Sequence, residues 1–209
     1  MTSRLKICGI TTAPDARSCV SLGVDMLGFN FYRQSPRFIT AGNTRSIVDQ
    51  LPLTVITVGI LIRPGLAEVL EILKTSRVSA VQIYEPKDFS DYSQIPVPVI
   101  TAYRVSDRVP ENISFTGSGM ILIDSYSPNK MGGSGETFDW TIIPDTIPRD
   151  RLILAGGINP HNISDALNRV NPAVIDVASG AEISPGKKDL HKVEQLVKAV
   201  RTYNAGKGQ

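Results

Sequence analysis

The sequence predicts an α/β fold, a single compact (β/α)8 (TIM) barrel, on three observations. Eight short apolar runs recur along 209 residues. They are nearly continuous in Val, Ile and Leu rather than alternating, which suits strands covered on both faces, as in a parallel sheet. Helix-like stretches lie between them, and about 26 residues per unit fits a barrel whose usual size range starts at about 200 residues. A doubly wound open sheet is the alternative. It usually has fewer strands and a glycine-rich ligand loop after the first one, and neither a G-x-G-x-x-G nor a P-loop is present.

The apolar runs fall at 5–8, 26–31, 55–61, 80–84, 97–101, 120–124, 152–155 and 174–177. After the first, residues 12–22 place Ala13, Ala16, Val20 and Leu22 near one side of a helix. A helix at 64–73 opens on Pro64, which suits a first helical turn. Prolines and polar residues make the connections at 85–95 and 103–115 short or irregular, so helices 4 and 5 are weak. In GGINPHNISDALNRV, Asn159 reads as an N-cap and Pro160 as the first helical residue. Ile163, Ala166, Leu167 and Val170 follow at helical spacing. The last helix, 188–203, carries Leu190, Val193, Leu196, Val197 and Val200. No composition shift marks a boundary, so 1–203 reads as one domain and the polar 204–209 as a disordered tail.

Composition narrows the function classes. The chain is 42% hydrophobic and 20% charged, as ordinary globular domains are. A net charge of +2 is too weak to argue for nucleic acid or a membrane surface as partner. Two cysteines make no disulfide framework, which points to a reducing, cytoplasmic setting. The first six residues lack a signal-peptide pattern, and the most apolar stretch, 55–62, is far short of the ~20 residues a membrane helix needs.

In a barrel, ligand groups collect at the C-terminal strand ends. The first strand ends in Cys8-Gly9 and the sixth at Asp124. Those two side chains would face one pocket as a base and acid pair. The packing alternatives are a small buried thiol and a turn aspartate. Lys6 shares a strand face with Cys8, and its charge is expected to pair with Asp176 or Asp124 and favour the thiolate. Gly156-Gly157 and Ser179-Gly180 follow the seventh and eighth strands, where barrels commonly bind phosphate through backbone N–H groups. Arg37 follows Pro36 in a loop, where a solvated surface arginine is the ordinary expectation and a guanidinium forked onto a substrate carboxylate the functional one. A glycine loop, 132–135, reads as a mobile lid, its far end pinned by Phe138 and Trp140. His161 and His191 start helices, where surface roles are expected. Cys19 is expected to be packing. No metal-ligand cluster or G-x-S-x-G elbow is present.

Taken in order, KICGIT, LGFNF…SPRFI, VGI, GGSGETFDW, LAGGINPHN and IDVASGAE…PGKKDL resemble the phosphoribosylanthranilate isomerase family of tryptophan biosynthesis. The matches run from Lys6 to Leu190. The resemblance implies a cofactor-free and metal-free Amadori rearrangement of N-(5-phosphoribosyl)anthranilate to 1-(2-carboxyphenylamino)-1-deoxyribulose 5-phosphate. By motif it makes Cys8 the general base at C2′ and Asp124 the general acid at the ring oxygen. Arg37 then holds the anthranilate carboxylate and Asp176 lies beside the sugar. Gly156, Gly157, Ser179 and Gly180 match the phosphate site. The implied partner is that small phosphorylated substrate, with monomer and homodimer both open. Three positions depart from the family pattern. V-Q-L-H-G reads Val81-Gln82-Ile83-Tyr84-Glu85, V-G-V-F ends in Ile60-Leu61, and K-A reads Thr101-Ala102. All three are expected on the aromatic side of the pocket. The alternatives are a phosphosugar-binding barrel without catalysis and an isomerase with an altered substrate.

Overall fold

The computed structural model of the chain describes residues 2–86, 91–106, 108–109, 113, 119–125 and 139–207. Eight parallel strands close into a barrel in chain order. They are β1 (Arg4–Cys8), β2 (Met26–Asn30), β3 (Ile56–Ile62), β4 (Ala80–Tyr84), β5 (Val99–Val105), β6 (Met120–Ser125), β7 (Leu152–Leu154) and β8 (Val174–Val177). β8 returns to pair with β1, setting Lys6 opposite Asp176. Among the described residues five α-helices accompany them: α1 (Ala13–Leu22), α2 (Ala41–Val48), α3 (Leu66–Ser76), α4 (Ile163–Val170) and α5 (Leu190–Gly206). A small hairpin, β9 (Glu182–Ser184) and β10 (Lys187–Lys188), follows β8.

The continuous apolar runs are explained by two cores. Leu5, Ile7, Leu27, Phe29, Ile123 and Ile175 point outward, into the core that also holds Leu167, Val193 and Leu196 of the helices. Met26, Val58, Ile60, Ala80, Ile100, Leu122, Ile153 and Val174 point inward and fill the barrel. Alternate residues of each strand therefore meet different layers, both mainly apolar, with Lys6, Gln82 and Asp176 the polar members of the inward one.

Several element limits differ from the sequence reading. β5 starts later and runs to Val105, because Pro96 and Pro98 have no N–H for the ladder while Tyr103 and Arg104 continue it. α2 carries little apolar signal, since only Thr44 and Ile47 are buried on it. Asn159 does not cap α4. Asn162 does, and a turn precedes it in which Asn159 Oδ1 accepts from the His161 N–H at 2.9 Å. Among the described residues of the connection after β4 there is a 3-10 turn, Asp91–Gln94. α5 continues through Gly206, so Asn204, placed in the tail by the sequence, belongs to the helix. Its side chain exchanges two 2.8 Å hydrogen bonds with the backbone of Ser3. The 132–135 loop and Phe138 lie outside the described residues.

Candidate active site

The C-terminal ends of the strands gather the titratable groups. Cys8 closes β1 and keeps a partly exposed edge. Two residues back, the fully buried Lys6 points into the barrel, where its Nζ donates to Asp176 Oδ2 at 2.7 Å and Gln82 Oε1 at 2.9 Å. Of the two carboxylates expected as its partner, Lys6 takes Asp176. Burial works against the ammonium, but Asp176 and then Cys8 outweigh it, and Lys6 stays above its ordinary value. The reverse holds for the thiol. Burial pushes Cys8 above the usual thiol range, and the pull of Lys6, Lys188 and Arg37 does not cancel it. Lys6 favours the thiolate as expected without making it the resting form. Asp176 is almost fully buried on β8, and its Oδ1 has no hydrogen-bond partner among the described residues. It is a buried acceptor with unused capacity.

Asp124 comes in from β6. Tyr84, at the end of β4, donates its O–H to Asp124 Oδ2 at 2.9 Å. Burial lifts this carboxyl to about 6, the Tyr84 hydrogen bond pulls it down, Asp176 raises it, and Arg104 and Lys6 lower it. A carboxylic acid that still holds its proton close to neutrality suits general-acid work. Arg104 of β5 lies 4.9 Å from the Tyr84 ring centroid and reaches Glu85 at 3.5 Å.

Arg37, in the loop after β2, is not solvated. Its Nε and Nη2 fork onto the carboxylate of Glu182, with a shortest contact of 2.6 Å. Its stem crosses Gly9, where a Cβ would lie 2.5 Å from Arg37 Cδ. Gly9 also has φ +78°, so glycine is needed there for both space and conformation. Glu182 also accepts from Lys188 Nζ at 2.7 Å. The same ammonium donates to the Cys8 carbonyl at 2.6 Å.

The two glycine-bearing tips interlock. A Cβ on Gly180 would sit 2.0 Å from the Ile158 carbonyl oxygen, and one on Gly156 would sit 2.3 Å from the Ser125 nitrogen. The tips of β6, β7 and β8 thus nest at backbone distance. Asn159 and Asn162 both donate to the Gly157 carbonyl, at 3.1 and 3.0 Å, and fix the turn. Ser179 and Gly180 open a one-turn 3-10 helix directly after β8.

Residues 5–199 match the family profile described as N-(5'phosphoribosyl)anthranilate (PRA) isomerase. The chain belongs to this isomerase family. It is 38% identical over 203 residues to the N-(5'-phosphoribosyl)anthranilate isomerase of Pseudomonas fluorescens (strain Pf0-1), covering 95% of this chain and 98% of that one. The crystal structure of the phosphoribosyl anthranilate isomerase from Thermotoga maritima superposes with a TM-score of 0.84 at 34% identity, covering 96% of this chain and all of that one. A second phosphoribosyl anthranilate isomerase structure is in complex with reduced 1-(o-carboxyphenylamino)-1-deoxyribulose 5-phosphate. It gives a TM-score of 0.81 at 31% identity, covering 96% of this chain and 100% of that one.

Within the isomerase family pattern, the three departures do not share one side of the pocket. Tyr84 and Ile60 pack in the barrel interior, whereas Leu61 joins the outer core. Thr101 lies between the inward Ile100 and Ala102, hence on the outward face. The sequence reading missed Arg104, Glu182 and Lys188. Glu182 and Lys188 stand in the IDVASGAE…PGKKDL segment that carried the isomerase resemblance. Nothing in their spacing indicated that Arg37, 145 residues away, would meet Glu182. His161 and His191 are exposed, as expected. Cys19 is buried in the outer core with its thiol pushed up to about 12, mainly by burial.

Proposed function

We propose that this chain catalyses the Amadori rearrangement of N-(5-phosphoribosyl)anthranilate to 1-(2-carboxyphenylamino)-1-deoxyribulose 5-phosphate, an aldose–ketose isomerisation in tryptophan biosynthesis. The observation that supports this reading is that a thiol, Cys8, and a buried carboxyl raised to about 6, Asp124, stand at the same, C-terminal, ends of β1 and β6. Asp124 gives its proton to the furanose ring oxygen as the C1′–O bond breaks and the anthranilate nitrogen forms the C=N bond. Cys8, as thiolate, then removes the C2′ proton to give the enolamine, which tautomerises to the ketone. Asp176 Oδ1 receives a sugar hydroxyl. Gly156, Gly157, Ser179 and Gly180 bind the phosphate through backbone N–H groups. Arg37 holds the anthranilate carboxylate.

The productive protonation pair, Cys8 thiolate with Asp124 acid, is a minority form of the free site, because burial lifts the thiol above the carboxyl. The pH–rate profile is then a bell whose acid-side limb falls near the Asp124 value. A phosphosugar binder without catalysis needs no such pair, which favours the enzyme. Two free cysteines fit action in the reducing cytoplasm, and among the described residues no helix is long and apolar enough to cross a membrane.

The test forms the labile substrate in situ and follows loss of its anthranilate fluorescence. Wild type turns over, while Cys8→Ala and Asp124→Asn each lose about 10²–10⁴-fold. Absence of wild-type turnover removes the isomerase reading, and full turnover in both variants removes the assigned roles.

A further inference from the structure

We infer that Glu182 is a positioning residue that sets which edge of Arg37 meets the substrate carboxylate; this rests on the Arg37 role proposed above. A guanidinium has five N–H donors in one plane. Glu182 takes the Nε–Nη2 edge with three contacts of 2.9, 3.1 and 2.6 Å. Nη1 and the second Nη2 proton are left as a preset fork on the other side. Arg37 is only 13% exposed, so few of its remaining donors meet bulk water. Its charge is close enough to Cys8 to draw that thiol down.

Glu182 is itself held rigidly. It is 3% exposed in its side chain, and Lys188, with no exposure, donates to its Oε1 at 2.7 Å. The Gly186 N–H donates to the same oxygen at 3.2 Å. Lys192 Nζ donates to the Glu182 carbonyl at 2.9 Å, and Thr11 ties the hairpin to the β1 loop through the Gly186 carbonyl at 2.7 Å. Lys188 also donates to the Cys8 carbonyl. One buried chain of charges therefore runs from the Cys8 backbone through Lys188 and Glu182 to Arg37. The base and the carboxylate clamp share one support, supplied by the hairpin after β8. Burial disfavours the Glu182 charge, but the Arg37 and Lys188 bonds outweigh it, and the carboxyl stays below its ordinary value. Both ion pairs are therefore intact at neutral pH.

A held fork recognises a planar carboxylate, whereas a loose arginine recognises any anion weakly. The consequence is selectivity between a carboxyphenyl ligand and its phenyl counterpart. The probes are the reduced product, 1-(o-carboxyphenylamino)-1-deoxyribulose 5-phosphate in its reduced form, and the same molecule without the carboxylate. Binding is measured by calorimetry on wild type, Glu182→Gln, Glu182→Asp and Arg37→Ala. Glu182→Gln is expected to weaken the carboxylated probe by about tenfold and the phenyl probe by less than about twofold. Glu182→Asp keeps a charge for Lys188 and is expected to fold where the glutamine variant does not. It shortens the reach to Arg37 and gives the same selective loss at smaller size. Equal weakening of both probes in the Glu182 variants means a general structural role and overturns the inference. If Arg37→Ala abolishes the discrimination and neither Glu182 variant changes it, this inference fails alone. If Arg37→Ala leaves the discrimination intact, the proposed role of Arg37 fails first and carries the inference down with it.

Discussion

Asp124→Asn is expected to make the protein more stable at neutral pH while removing its activity. The Asp124 carboxyl moves from an ordinary 3.8 to about 6 on folding, chiefly through burial. Between those two values the folded chain holds a proton that the unfolded chain has released. Stability therefore falls as pH rises through that window, and the full cost persists above it. Two pH units at about 1.36 kcal/mol each give a ceiling of about 3 kcal/mol. Asp124 keeps some exposure, so solvent screening lowers this to about 2 kcal/mol. An asparagine is neutral throughout, and its side-chain oxygen still accepts the Tyr84 O–H. Urea titrations should place Asp124→Asn about 2 kcal/mol above wild type at about pH 7.5, equivalent to a melting rise of about 4–8 °C. At about pH 4.5 the gap should shrink to about a third of that. A gap of the same size at both pH values, or a wild type that is the more stable of the two at about pH 7.5, refutes the reasoning.

Four further expectations follow from contacts in the site. Tyr84→Phe removes a hydrogen-bond donor from the ionised Asp124, so its titration should rise by about one unit above the wild-type value; carboxyl carbon NMR of labelled aspartate reads it, and an unmoved titration contradicts the tuning role. Lys6→Met strands the Asp176 carboxylate in the barrel and should cost about 3–5 kcal/mol, with Lys6→Met/Asp176→Asn recovering much of the loss in denaturant melts. In a Cys19→Ala background the Lys6→Met thiol at Cys8 should titrate higher still by thiolate absorbance, and an unchanged value ends the proposed coupling of Lys6 to Cys8. Gly9→Ala drives a methyl into the Arg37 stem at a positive φ, so a loss of about 1–3 kcal/mol is expected; a melting point equal to wild type would show that Arg37 can give way.

Much of this architecture could be read along the chain because each strand is short, local and apolar on both faces. Cys8, Asp124 and Asp176 were legible for the same reason, since each is the last or nearly last residue of such a run. The signal failed where the chain left that pattern. α2 shows only Thr44 and Ile47 to the core, so its periodicity is too weak to see. Arg104 looked like the polar end of a loop, yet β5 carries it to the rim as the next inward residue after Ala102. Glu182 and Lys188 carry no local signal of burial, since ordinary lysines and glutamates are solvated. Their burial follows from pairing with Arg37 and with the Cys8 backbone, contacts that span 145 and 180 residues. No local spacing encodes them.

The two hydrogen bonds between Ser3 and Asn204 bear on how the protein is born. The strand that starts the barrel finds its second neighbour only when Val174–Val177 has been made. At ordinary translation speeds of about 5–20 residues per second, the free edge of Arg4–Cys8 waits on the order of 10–40 s. Lys6 spends that interval without the carboxylate that justifies its burial. The nascent chain is therefore most exposed to mispairing at the segment bearing Cys8, and the arrival of Val174–Val177 beside it is the step that ends the risk.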